Sequence, residues 1–162
     1  MGKAKAEDNL DDRIRQVSTE IRMVLPGAQA LLGFQFITFV LSEFDKLPPL
    51  LKQIHVVSSI LLTLCVILLM TPAAYHRIVE NGENSEHFHR FASAMLLSAL
   101  VPLALGIAGD FFVVTEHVVQ STAVSISLAA IILLCFFGLW FGLPMLRRWQ
   151  DRRTRNTRIH AA

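Results

Sequence analysis

Four long stretches of this chain contain no Asp, Glu, Lys or Arg. They run from Met23 to Leu41, Gln53 to His76, Phe91 to Gly109 and His117 to Leu146, and are 19, 24, 19 and 30 residues long. A helix rises about 1.5 Å per residue, so about 20 apolar residues cross a hydrocarbon core of roughly 30 Å. Packed into a soluble domain, four such helices would each need a polar face, and these stretches have almost none. Only 17% of the residues are charged, against roughly a quarter in soluble domains. The expected fold is all-α: an integral membrane four-helix bundle with an N-terminal amphipathic helix.

The segmentation follows from the same pattern. Residues 1–9 read as a polar tail and 10–25 as an amphipathic interfacial helix. Residues 26–146 read as the membrane domain, with spans near 26–44, 50–74, 91–114 and 118–146, and 147–162 as a basic tail. The first apolar run follows 22 mostly polar residues and has no small-residue cleavage site after it, so no cleaved leader is expected.

Lys and Arg set the expected orientation. In a four-span arrangement 13 of the 15 basic residues fall on one side, with 9 acidic residues, for a net charge of +4. The other side has Lys46 and Lys52 against Glu43, Asp45, Asp110 and Glu116, for a net charge of −2. The positive-inside rule places the basic side, and with it both termini, in the cytoplasm. That side suits contact with a bilayer whose inner leaflet is anionic. The Arg-rich tail is read as a topology signal, and no nucleic-acid partner is expected.

The N-terminal stripe Leu10, Ile14, Val17, Ile21 and Val24 has heptad spacing. It fits a helix lying on the inner leaflet, or a seam between protomers. Pro26-Gly27 is expected to interrupt it. The first span is the most polar, with Gln29, Gln35 and Thr38, which read as interhelical contacts or as the lining of a wet path. In the fourth span, Gly138 and Gly142 form a GxxxG pair, and Ser121 and Ser125 share one face. Both features favour close helix packing and a homo-oligomer. His55, Asp110, Glu116 and His117 are all assigned to the outer ends of spans. They form a candidate pH-sensing cluster, or are ordinary polar span ends. Cys65 and Cys135 lie within spans without metal-site spacing and are expected to be reduced packing residues.

Metal and cofactor chemistry finds little support. His87 and His89, with His76 upstream and Glu83 and Glu86 nearby, match no common zinc spacing. Haem would need histidine pairs inside the spans, whereas His55 and His76 lie about 32 Å apart along one helix. No catalytic or nucleotide-binding motif is present, so neither enzyme activity nor a cofactor is expected.

Three motifs resemble an uncharacterised family of small bacterial four-span membrane proteins. They are Glu20-Ile21-Arg22, Pro26-Gly27-Ala28-Gln29 and Thr71-Pro72-Ala73-Ala74-Tyr75-His76-Arg77. The likeness covers roughly residues 13–118, and Tyr75, His76 and Arg77 are the residues that most carry it. It implies the four-span topology and a bacterial origin, and it supplies no mechanism; the expected location is the bacterial inner membrane. Two function classes follow: an ion or proton-linked channel or transporter, and a non-catalytic membrane interaction or accessory subunit.

Overall fold

The computed structural model describes residues 2–80 and 85–149, with side chains described from Asn9 onward. These residues are helical apart from short connections: α1 (Gly2–Val40), α2 (Ser42–Lys46), α3 (Pro49–Ile78), α4 (Glu86–Val119) and α5 (Thr122–Phe137). A π-helical turn, Gly138–Gly142, follows α5, and α-helix resumes over 143–149. Residues 81–84, with Glu83 among them, and the basic tail from Gln150 onward lie outside the described residues. Four segments are long and apolar enough to cross a membrane: Asn9–Val40, Pro49–Ile78, Glu86–Val119 and Thr122–Trp149.

The connections explain the antiparallel arrangement. Pro49 opens α3, where a missing N–H costs nothing. Ser85 caps α4 by accepting a hydrogen bond from Phe88 N at 3.0 Å. Between α4 and α5 the chain reverses at Gln120, which takes the left-handed conformation with φ 53°.

One expectation about α1 fails. Pro26-Gly27 does not end the amphipathic helix, and α1 runs through it without a break. Proline removes one backbone donor and can be carried inside a helix that tertiary packing holds on both sides. That packing is visible on the N-terminal stripe. Ile14 and Val17 are buried against Phe88 and Ala92, with Leu10, Ile21 and Tyr75 around them. The middle of the stripe therefore packs on α3 and α4 of its own chain, while Leu10, Ile21 and Val24 stay half-buried.

A second cluster fills the middle of the fold. Ala28 of α1 meets Leu62, Cys65 and Leu69 of α3 and Leu96, Ala99 and Leu103 of α4. Cys65 is fully buried, whereas Cys135 is exposed on α5, and both thiols are free. α5 packs mainly on α4 and turns most of its apolar side chains outward, Leu134 among them.

Lipid tails are as apolar as leucine, so burial of apolar surface does not by itself hold membrane helices together. Close backbone approach and buried hydrogen bonds matter more. Both occur between α3 and α4. A Cβ on Gly106 would sit 3.1 Å from Leu62 Cγ, and one on Gly109 would collide with Ser58 Oγ.

Candidate functional site

The absent side chain at Gly109 brings α4 against Ser58, and so brings Asp110 beside His55, three residues before Ser58 on α3. His55 Nδ1 lies 3.2 Å from Asp110 Oδ1, with the histidine side chain 7% exposed and the carboxylate 26%. From α1, the Gln35 side-chain amide donates to Asp110 Oδ2. The Gln35 backbone carbonyl faces His55 Nε2 at 3.5 Å. Three helices thus meet at one polar cluster, Gln35–His55–Asp110. It lies about 8–14 Å in from their outer ends by the helical rise.

The surroundings of the cluster are apolar or internally bonded. The rings of Phe39, near the end of α1, and Phe44, on α2, stand 4.9 and 5.7 Å from the imidazole. On α3, Ser59 donates to the His55 carbonyl at 3.0 Å and Thr63 to the Ser59 carbonyl at 2.8 Å, so both hydroxyls are bonded within their own helix. Gln35 Oε1 is buried and has no hydrogen-bond partner among the described residues.

This geometry has a direct chemical consequence. Both imidazole nitrogens face acceptors, the Asp110 carboxylate and the Gln35 carbonyl. A neutral imidazole has one N–H and no charge, whereas an imidazolium carries the charge that makes the 3.2 Å contact with Asp110 an ion pair and has an N–H to offer the Gln35 carbonyl. A proton entering the cluster therefore changes the bonding between all three helices.

The other residues singled out from the sequence fall elsewhere. Gln29 is exposed on α1 and does not share the face of Gln35, and Thr38 bonds the Phe34 carbonyl at 3.1 Å. Glu116 accepts from Thr122 Oγ1 at 2.9 Å across the α4–α5 turn, and His117 is exposed. The four outer residues are therefore not one cluster: His55 and Asp110 meet, with Gln35 added, while Glu116 and His117 stand apart. Ser125 is fully buried and donates to the Ser121 carbonyl at 3.0 Å. Gly138 and Gly142 belong to the π-helical turn. A Cβ on Gly138 would meet nothing within 4 Å, and one on Gly142 only the Phe137 carbonyl at 3.8 Å. Among the described residues, no other helix of the chain uses this GxxxG pair.

At the basic end, the Tyr75 ring lies 4.5 Å from that of Phe91, and its hydroxyl is 3.4 Å from His87 Nδ1. His76 packs on Phe88 with ring centroids 4.6 Å apart. His87 Nδ1 is 3.9 Å from Glu80 Oε1. No group of three or more His, Cys, Asp or Glu with metal-binding geometry occurs among the described residues.

Sequence reading missed the roles of Ser58, Phe39, Phe44 and Gly109 at the cluster. One signal was available. Gln35, His55, Ser58 and Asp110 all lie at similar distances from the outer ends of their spans, and polar groups at equal depth in a bilayer seek each other.

Four apolar helices with a polar three-helix contact make this chain a multi-pass helical membrane protein. It belongs to the family of unknown function DUF6328, whose model matches residues 3–144. That match is wider than the 13–118 stretch carrying the motif resemblance, and takes in the N-terminal stripe and nearly all of the fourth span. No curated protein and no solved structure matches the chain.

Proposed function

We propose that this is a proton-responsive protein of the bacterial inner membrane, with both termini in the cytoplasm, acting as an ion or proton-linked channel or transporter. The observation that carries this reading is the 3.2 Å contact between His55 and Asp110, shared with Gln35, inside the membrane-spanning helices. Ionisable groups at such depth are costly and usually mark a path or a relay. The groups facing His55 are Asp110 from α4, Gln35 from α1, Ser59 on its own helix, and the rings of Phe39 and Phe44. A change of proton occupancy there has one carboxylate to act on and three helices to move.

The test is flux. Protein reconstituted in liposomes with an entrapped pH dye should pass protons or a co-ion, with a rate that depends on pH. His55→Gln with Asp110→Asn should remove that dependence, and His87→Gln should not. Absence of flux for every common monovalent ion would remove the transport reading.

A second reading has its own support. Between the cluster and the basic end lies the apolar core of Ala28, Leu62, Cys65, Leu69, Leu96, Ala99 and Leu103. An accessory subunit needs no path through it. On this reading the outward face of α5 and of the π-helical turn after it, where Gly138 has open space, is the surface that meets a second copy or a larger complex. Recovery of a stoichiometric membrane partner, together with absent flux, would favour it.

A further inference from the structure

We propose that the cleft between α1 and α3 at the basic end binds the phosphate headgroup and upper acyl chain of an anionic phospholipid. The cleft has a volume of about 870 Å³. Arg15 and Arg22 of α1 and Arg77 of α3 line it, and none of the three forms a salt bridge with another described residue. No Asp or Glu is among its lining residues. His76 also lines the cleft, packed against Phe88. Three exposed guanidinium groups around one space, without an ion-pair partner among the described residues, suit an anion with several acceptor oxygens.

The other half of the cleft decides between sources of that anion. Its floor is apolar, with Leu25, Leu69 and Met70. Met70 is 52% exposed, so the cleft opens sideways to where lipid lies. A free phosphate would leave this apolar half unused, whereas a phospholipid fills both halves. Basic pockets between membrane helices bind anionic lipid headgroups in this way. The site lies at the opposite end of the helices from the Gln35–His55–Asp110 cluster and does not depend on it.

Titration of the detergent-solubilised full chain with phosphatidylglycerol, counted as bound lipid by native mass spectrometry, tests the site. Phosphatidylglycerol should bind at least about tenfold more tightly than phosphatidylcholine. Arg22→Gln with Arg77→Gln should weaken it about tenfold. Arg147→Gln with Arg148→Gln removes the same charge from an exposed stretch outside the cleft, and should leave affinity unchanged. Ala73→Trp fills the cleft without altering charge and should also weaken lipid binding. Circular dichroism of each variant establishes that it has kept its helices. Equal losses from the two arginine pairs, equal binding of phosphatidylcholine, or displacement of the lipid by inorganic phosphate would each overturn the proposal.

Discussion

Replacing His55 and Asp110 by leucine, singly and together, measures how strongly the polar cluster couples α3 to α4. Removing one member of a fully buried ion pair costs about 3–5 kcal/mol, because the other is left without its partner. His55 is 7% exposed, but the Asp110 side chain keeps 26% of its exposure, so the cost is lower here. We expect about 2–3 kcal/mol for His55→Leu. Asp110→Leu strands the Gln35 amide as well as His55, and should cost about 3 kcal/mol. In the double variant no charge is stranded, and the loss should be about 3 kcal/mol rather than the sum of the two, a coupling of about 2–3 kcal/mol. Equilibrium unfolding in mixed micelles titrated with dodecyl sulfate, followed by helical circular dichroism near neutral pH, gives all four stabilities. A coupling below about 0.5 kcal/mol, with the single losses simply adding, would refute the argument that these side chains hold the helices as a pair.

Four further outcomes follow from local geometry. Gly109→Val should destabilise by about 2 kcal/mol in the same assay, since its side chain meets Ser58, and adding Ser58→Ala should recover part of the loss. Gln120→Gly should stabilise by about 1 kcal/mol, because Gln120 holds φ 53° and glycine takes that conformation without steric cost. Lys46 bonds Glu43 at 2.6 Å and holds its carboxyl below the ordinary value of 4.5. A depressed folded value adds stability above the unfolded value and loses it as pH falls, so this contribution should fade only below pH 4.5, and Lys46→Met should raise the Glu43 titration midpoint seen by NMR. Gly138→Leu with Gly142→Leu should leave the stability of the single chain nearly unchanged, as Gly138 has open space around it, but should reduce the size of any oligomer in light scattering.

The span pattern was legible because it depends on a local quantity. Nineteen or more residues without a charge meet the bilayer as a solvent wherever the rest of the chain lies, so the four helices could be counted from the absence of Asp, Glu, Lys and Arg. The N-terminal heptad stripe was legible for the same reason, since periodicity on one helix predicts that a face will be buried. The partner of that face was not. Ile14 and Val17 pack on Phe88 and Ala92, more than seventy positions away, and nothing in the stripe distinguishes those residues from a lipid surface or a second protomer. Pro26 is similar: its local preference is to break a helix, and packing on both sides of it outweighs that preference.

The polar cluster shows where the division lies. Sequence alone determined that His55 and Asp110 would sit at the same end of their spans, because their positions along the charge-free runs set their depth. Whether they touch depends on the rotation and spacing of α3 and α4, which a hydropathy pattern does not encode. Tertiary structure decided it through Gly109: with no side chain at that position, α4 closes on Ser58, and the next residue, Asp110, arrives 3.2 Å from the imidazole. His117 and Glu116, assigned from sequence to the same outer end, lie one to two turns further along α4, beyond that contact, and stay apart from it.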